Sequence, residues 1–128
     1  MFGLIYRALA YCRCDRFSAG GGRAPRRKFL RGHTACGAVK GAIDNAELGI
    51  LTRLLAKIKP AVQATNYKGE RSAKNDAFVD AVARKNVEIT VADIRKDSAV
   101  LAELESRGTI KIAGAMYDLK TDAVEFFG

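Results

Sequence analysis

Apolar residues recur at helical spacing over much of the chain, and this pattern predicts four helices. A short first helix is expected over 34–43. Over 47–59, leucine and isoleucine residues fall at positions i, i+3, i+6, i+7 and i+10, so one apolar stripe runs along a second helix. Pro60 is expected to kink or end that helix, because proline has no N–H to donate. A long third helix is predicted over 72–96, and a fourth over 99–107.

Cap residues and alternating β-formers mark the remaining elements. Ser98 can accept a hydrogen bond from a free N–H in the first turn of the fourth helix. Gly108 stands where a glycine commonly stops a helix. The pattern favours a short strand over 28–31, a longer strand over 109–119 and a returning strand over 123–127.

The order of these elements, one strand, then helices, then two strands, indicates an α/β fold. We expect a short, mostly parallel sheet with a C-terminal hairpin and flanking helices. Three strands make a small sheet for so many helices, so either sheet-forming sequence is missing or a partner supplies it. The sequence contains no internal repeat.

The positive charge of the chain is concentrated at one end. Of the formal net charge of +8 over 128 residues, residues 1–31 carry +7 and residues 32–128 carry +1. We therefore predict a basic, disordered or unrelated segment over 1–31 and one folded domain over 32–128. The domain has no basic surface of its own, so we expect no nucleic-acid partner. A basic tail that contacts phosphate or acidic lipid through its arginines is the least favoured alternative.

The cysteine count and the lack of a long apolar run bear on location. Cys12, Cys14 and Cys36 are an odd number of thiols, which argues against a disulfide framework and for a reducing compartment. No apolar run approaches the ~20 residues that span a bilayer, so no membrane association is expected. We predict a cytoplasmic protein. Import into an organelle is the alternative, because the N-terminal segment is rich in arginine and poor in acids.

Two metal-binding residue types lie at the junction of the first strand and the first helix. His33 is the only histidine, and Cys36 follows it three positions later. Imidazole and thiolate are good zinc ligands, and open α/β sheets place ligand sites at the carboxyl ends of strands. Taken alone, the pair could also be a capping histidine and a small buried cysteine. Tyr117 and Asp118 could take part in chemistry too, but their place at a strand end before a turn favours a structural role.

The residues around this pair resemble a known zinc-binding segment. Gly-His-Thr-Ala-Cys-Gly-Ala-Val-Lys-Gly-Ala at 32–42 closely resembles the zinc-binding segment of β-class carbonic anhydrases. The similarity then continues in family order through 54–62, Asn86-Val87, 98–101 and 110–119. It covers residues 32–128.

This resemblance implies a zinc enzyme that reversibly hydrates carbon dioxide to bicarbonate. In the family, one histidine and two cysteines hold the zinc, with water or an aspartate in the fourth position. Zinc lowers the pKa of bound water from about 15.7 toward about 7, a magnitude established for a carbonic anhydrase of the three-histidine kind. His33 and Cys36 match the histidine and one of the cysteines. The resemblance also implies a homodimer or a higher oligomer.

The chain departs from the family where the other cysteine is expected. The family takes it from an earlier Cys-x-Asp-x-Arg segment, separated from the histidine by further sheet and helix. Here Cys-Arg-Cys-Asp-Arg at 12–16 has the right residue types, but Cys12 is separated from His33 by only 20 residues. With Cys12 and Arg16 aligned to the family segment, Cys14 stands at the aspartate position.

Two interpretations of this departure stay open. In one, Cys12 or Cys14 loops over and completes a site with one histidine and two cysteines. In the other, which we favour, residues 1–31 are unrelated to the family through a shifted reading frame, a mispredicted start or a truncation. The domain then lacks the family's first strand and its aspartate–arginine pair. We expect impaired or absent activity in that case, because two protein ligands hold zinc weakly.

Overall fold

Seven elements make up the part of the chain that the structure, a computed structural model, describes, namely residues 26–47 and 49–127. In chain order they are β1 (Arg26–His33), α1 (Gly37–Ile43), α2 (Leu51–Ala64), α3 (Asp76–Asp97), α4 (Ala99–Ser106), β2 (Ile110–Tyr117) and β3 (Val124–Phe127). Within these ranges, no helix is long and apolar enough to cross a membrane.

The three strands form one sheet in the order β1-β2-β3. β1 and β2 are parallel, with Arg26 beside Ile110 at one end and His33 beside Tyr117 at the other. β3 returns antiparallel to β2, and Val124 lies beside Tyr117. The predicted α/β fold with a mostly parallel sheet and a C-terminal hairpin is therefore confirmed for the described residues.

The long helix α3 forms the centre of the core. Phe78, Val79 and Val82 on this helix are fully buried, and Val87 and Val91 continue the same apolar face. Burial of one such side chain contributes about 1.5–3 kcal/mol of stability. Through this face, α3 contacts β1, β2 and the three other helices.

Two helix boundaries follow from side-chain caps. Ser98 accepts a hydrogen bond from the N–H of Leu101 at 3.3 Å, as predicted for the start of α4. Gly108 follows that helix with a φ of +72°, a left-handed conformation that glycine adopts without steric cost. The third helix begins at Asp76 rather than at the predicted residue 72, because Asn75 caps it through the N–H of Phe78 at 3.4 Å.

Helix α2 does not end at Pro60, which was one of the two outcomes, a kink or an end, that the sequence predicted there. The helix starts later than predicted, at Leu51, and continues through Pro60 to Ala64. Pro60 itself is exposed, whereas Ala61 is almost completely buried, so the last turn is held by packing. The helical hydrogen bond from Thr65 N–H to the Ala61 carbonyl, 3.0 Å, closes this turn. Packing thus offsets the hydrogen bond that proline removes.

Arg95 and Glu105 join α3 and α4 to the part of β2 that β3 does not cover. Arg95 donates hydrogen bonds to both carboxylate oxygens of Glu105, at 2.7 and 2.9 Å, and to the Ile112 carbonyl at 2.8 Å. The N–H of Ile112 donates to the same carboxylate at 3.1 Å. β3 pairs with β2 only from Gly114 onward. At Ile112, the two side chains therefore satisfy backbone groups that a neighbouring strand would otherwise bond.

This cross-link makes part of the stability depend on pH. Hydrogen bonding to Arg95 is the main reason that the pKa of Glu105 lies below its ordinary value. A carboxylate whose pKa is lower in the folded state stabilises the fold fully above the unfolded pKa. That contribution is lost as the pH falls through the folded-state pKa.

Glu105→Gln is expected to lower the free energy of unfolding by about 1 kcal/mol near neutral pH, since both side chains are partly exposed and screened by water. The difference from the unchanged chain should shrink as the pH falls below about 4. Urea unfolding measured between about pH 7 and pH 3 checks both points. Glu103→Gln is the control, because Glu103 is on the same helix and pairs with the exposed Arg107. It should cost less than about 0.5 kcal/mol, and equal losses would contradict the assignment.

Candidate metal centre

The turn that carries His33 and Cys36 lies at the carboxyl end of β1, where the sequence placed it. β1 ends at His33 and α1 begins at Gly37. Cys36 occupies the N-cap position of α1 with φ −65° and ψ 119°, and its side chain makes no capping hydrogen bond. The thiol therefore does not cap the start of the helix.

The ring of His33 is held in one tautomer by its neighbour. His33 is exposed, and its Nδ1 lies 2.8 Å from the backbone carbonyl oxygen of Thr34. A carbonyl oxygen can only accept a hydrogen bond, so Nδ1 carries the proton. In the neutral ring, Nε2 then holds the lone pair that a metal ion requires.

His33 and Cys36 line the same cavity of about 60 Å³. The cavity lies between β1 and the three helices α1, α2 and α3, and most of its wall is apolar. Its polar wall residues are Arg31, His33, Cys36 and Asn86. Cys36, which lines this cavity, is a free cysteine and is 8% exposed. The structure thus brings together the two residues that the sequence singled out.

Three hydrogen bonds hold the turn between these two side chains. Thr34 donates its N–H to the Tyr117 carbonyl at 3.0 Å and accepts a bond on Oγ1 from the N–H of Leu119 at 3.0 Å. Ala35 donates its N–H to Oδ1 of Asp80 at 2.9 Å. Ala35 has a φ of +52°, in the left-handed region that costs a non-glycine residue about 1–2 kcal/mol. The turn is therefore strained locally and stabilised from both β2 and α3.

No local pattern in the sequence points to Asp80, and Asn86 stands out there only as part of a family resemblance. Asp80 lies 45 residues beyond its partner Ala35, so no local spacing connects the two. Asn86 interrupts the apolar face of α3 and is 5% exposed. A polar residue at an apolar position of a predicted helix is a signal that could have pointed to the cavity wall.

Tyr117 and Asp118 have the structural role that their position predicted. The Tyr117 hydroxyl donates to Asp122, and this bond is the main cause that raises the pKa of the tyrosine above its ordinary value. Asp118 Oδ1 accepts from the backbone N–H of Lys120 at 2.8 Å and of Thr121 at 3.3 Å. Both side chains therefore shape the turn between β2 and β3.

The described residues supply part of a zinc site and not a complete one. Imidazole nitrogen and thiolate sulfur are ligands that zinc prefers, and zinc sites in proteins normally have three or four protein ligands. Among the residues described, no group of three His, Cys, Asp or Glu side chains could hold a metal ion. Cys12 and Cys14, the thiols considered as further ligands, lie outside the described residues. Two donors alone do not fit a catalytic zinc.

Comparison with known proteins identifies the fold and its relatives. A family model for carbonic anhydrase matches residues 29–124. The β-carbonic anhydrase CafA of Aspergillus fumigatus is 26% identical, with a TM-score of 0.63, over 79% of this chain and 48% of that protein. A Coccomyxa β-carbonic anhydrase solved with acetazolamide is 23% identical, with a TM-score of 0.62, over 77% of this chain and 45% of that protein.

A third solved structure extends the comparison to a tetramer. One of two tetrameric β-carbonic anhydrases from Sordaria macrospora is 21% identical, with a TM-score of 0.63, over 80% of this chain and 52% of that protein. The present chain thus spans about half the length of the solved structures that it matches. A search of curated proteins found no match.

Gly32→Ala is expected to destabilise the fold by about 1–3 kcal/mol, because overpacking a filled core strains its neighbours. A Cβ at Gly32 would lie 2.9 Å from Met116 Sδ and 2.9 Å from a methyl group of Val87. The same strain should displace the adjacent His33. Gly37→Ala is the matched control, since a Cβ there meets no atom within 4 Å. Thermal unfolding of both variants checks the prediction, and equal stability would contradict it.

Proposed function

Because the chain belongs to the β-carbonic anhydrase family, we propose that it contributes His33 and Cys36 to a zinc site for the reversible hydration of carbon dioxide to bicarbonate. The observation that carries this proposal is the position of the pair. Both side chains line one cavity at the carboxyl end of β1, inside the region that the family model matches.

The state of the two side chains supports metal binding. The proton on Nδ1 of His33 leaves Nε2 free, and the Cys36 side chain is not engaged in capping α1. Bound zinc would supply a water of lowered pKa to the reaction, provided that at least one more protein ligand joins the pair. Within this chain, Cys12 and Cys14 are the two candidate sources of that ligand.

A second candidate function is a non-catalytic remnant of a carbonic anhydrase. The donor count favours it, because the described residues bring together one histidine and one cysteine. Such a chain would hold zinc weakly and would have little or no activity of its own.

The assembly and the location of the protein are also proposals. Tetrameric relatives support a homodimer or higher oligomer of this chain. The proposed cytoplasmic location rests on the odd number of thiols, which argues for a reducing compartment.

The decisive experiment measures bound zinc and carbon dioxide hydration on the same purified preparations. An active anhydrase should hold about one zinc per chain. His33→Ala and Cys36→Ser should each remove that zinc and lower the hydration rate by more than about 100-fold, since residues that merely orient ligands already cost about 10- to 100-fold. Hydration that survives His33→Ala would exclude the proposed site.

Cys12→Ser and Cys14→Ser are the matched controls for the cysteine change. If one of them completes the site, that variant should lose zinc as Cys36→Ser does, and the other variant should keep it. If neither matters and the unchanged chain holds well under one zinc, the chain is the non-catalytic remnant. Size-exclusion chromatography of the same samples measures the oligomeric state.

A further inference from the structure

The two residues between His33 and Cys36 are anchored to different parts of the fold. Thr34 is bonded to the end of β2 and to the residues that follow it, through Tyr117 and Leu119. This anchor continues the pairing of the parallel strands, in which His33 lies beside Tyr117. Ala35 is bonded to a helix instead, through Oδ1 of Asp80 at 2.9 Å. The geometry of the turn therefore depends on both the sheet and α3.

The conformation of Ala35 makes its anchor important. With a φ of +52°, Ala35 lies in the left-handed region, where the Cβ of an L-residue crowds the following carbonyl oxygen. Such a conformation persists only when the surroundings stabilise it. The bond to Asp80 contributes to this, because it fixes the peptide plane that precedes the N–Cα bond about which φ turns.

Asp80 is well suited to hold a neighbouring turn. It belongs to the long helix α3, and the residues beside it on that helix are buried against the rest of the core, including Val79 and Ala83. The Asp80 side chain is only half-buried, so its carboxylate stays partly hydrated. A rigid backbone and a short side chain place the acceptor with little rotational freedom.

We propose that Asp80 is a positioning residue, which fixes His33 and Cys36 relative to each other by holding Ala35 in its left-handed conformation. The consequence for metal binding rests on the proposed function. The positioning role itself does not rest on that function, because groups of the protein alone make the contacts that hold the turn. Removal of the Asp80 acceptor should let Ala35 relax toward the right-handed region and expose the Cys36 thiol.

The test measures the turn without any metal. Hydrogen exchange at the Ala35 amide reports the bond, and the alkylation rate of Cys36 reports the opening of the turn. Tryptic peptide 32–40 contains Cys36 and neither Cys12 nor Cys14, so mass spectrometry can follow this thiol in the full chain. Asp80→Ala should raise both rates by about tenfold, which corresponds to about 1.4 kcal/mol for the lost bond.

Two further variants of Asp80 separate the position of its acceptor oxygen from its charge, and a third variant is a control. Asp80→Asn keeps an oxygen in place without the charge and should restore both rates to nearly those of the unchanged chain. Asp80→Glu keeps the charge but shifts the oxygen by one methylene, and should restore them less. Asp76→Ala is the matched control, because Asp76 lies one turn earlier on α3 and bonds Lys40 at 3.2 Å. It should leave the Ala35 exchange rate unchanged.

The inference is overturned if Asp80→Ala changes both rates by less than about twofold, or if Asp80→Glu protects the turn better than Asp80→Asn does. Urea unfolding of each variant separates local opening from global loss of stability. If Asp80→Ala does not fold, the ranking of the Asn and Glu variants still decides the matter. Cobalt(II) added to the unchanged chain tests the proposed function separately. Lack of a cobalt–thiolate absorption band would count against the metal site and leave the positioning role intact.

Discussion

The arrangement of this fold depends on a close approach between α3 and the sheet at Val87. A Cβ placed on Gly32 would lie 2.9 Å from one methyl group of Val87, and a Cβ on Gly114 would lie 2.8 Å from the other. Real Cβ atoms do not come so near, so both positions have to be glycine for the helix to lie where it does. One glycine belongs to β1 and the other to β2, and the valine therefore fixes the helix against both parallel strands.

This contact determines where the Asp80 and Arg95 side chains of α3 come to lie. Asp80 is about two turns before Val87 on the helix, and Arg95 is about two turns after it. The Asp80 side chain reaches the turn that follows β1. The Arg95 side chain reaches the part of β2 that β3 does not cover. A shift of the helix by one turn, about 5.4 Å, would break both connections at once. The same close packing that forms the core thus sets the geometry of the candidate metal centre.

Local features of the sequence were enough to predict most elements, whereas contacts between distant residues were not. Ser98 and Gly108 bound α4 correctly because caps act through neighbouring backbone groups. β1 is longer than the predicted 28–31 strand because pairing with β2 begins at Arg26, which a local pattern cannot show. For a similar reason, Pro60 does not end α2, since burial of the following turn outweighs the missing hydrogen bond.

The candidate site shows the same contrast between local features and contacts of distant residues. His33 and Cys36 could be identified from their spacing and from the surrounding family-like sequence, but the bond from Ala35 to Asp80 joins residues 45 positions apart. Protein hydrogen bonds hold the backbone of the turn that carries the two donors, so this turn is ordered by the fold itself. Folding has already restricted the backbone of this turn, so that loss of entropy is not repeated when a ligand binds. A third donor, from this chain or from another, would then lose mainly its own conformational freedom on joining the proposed pair.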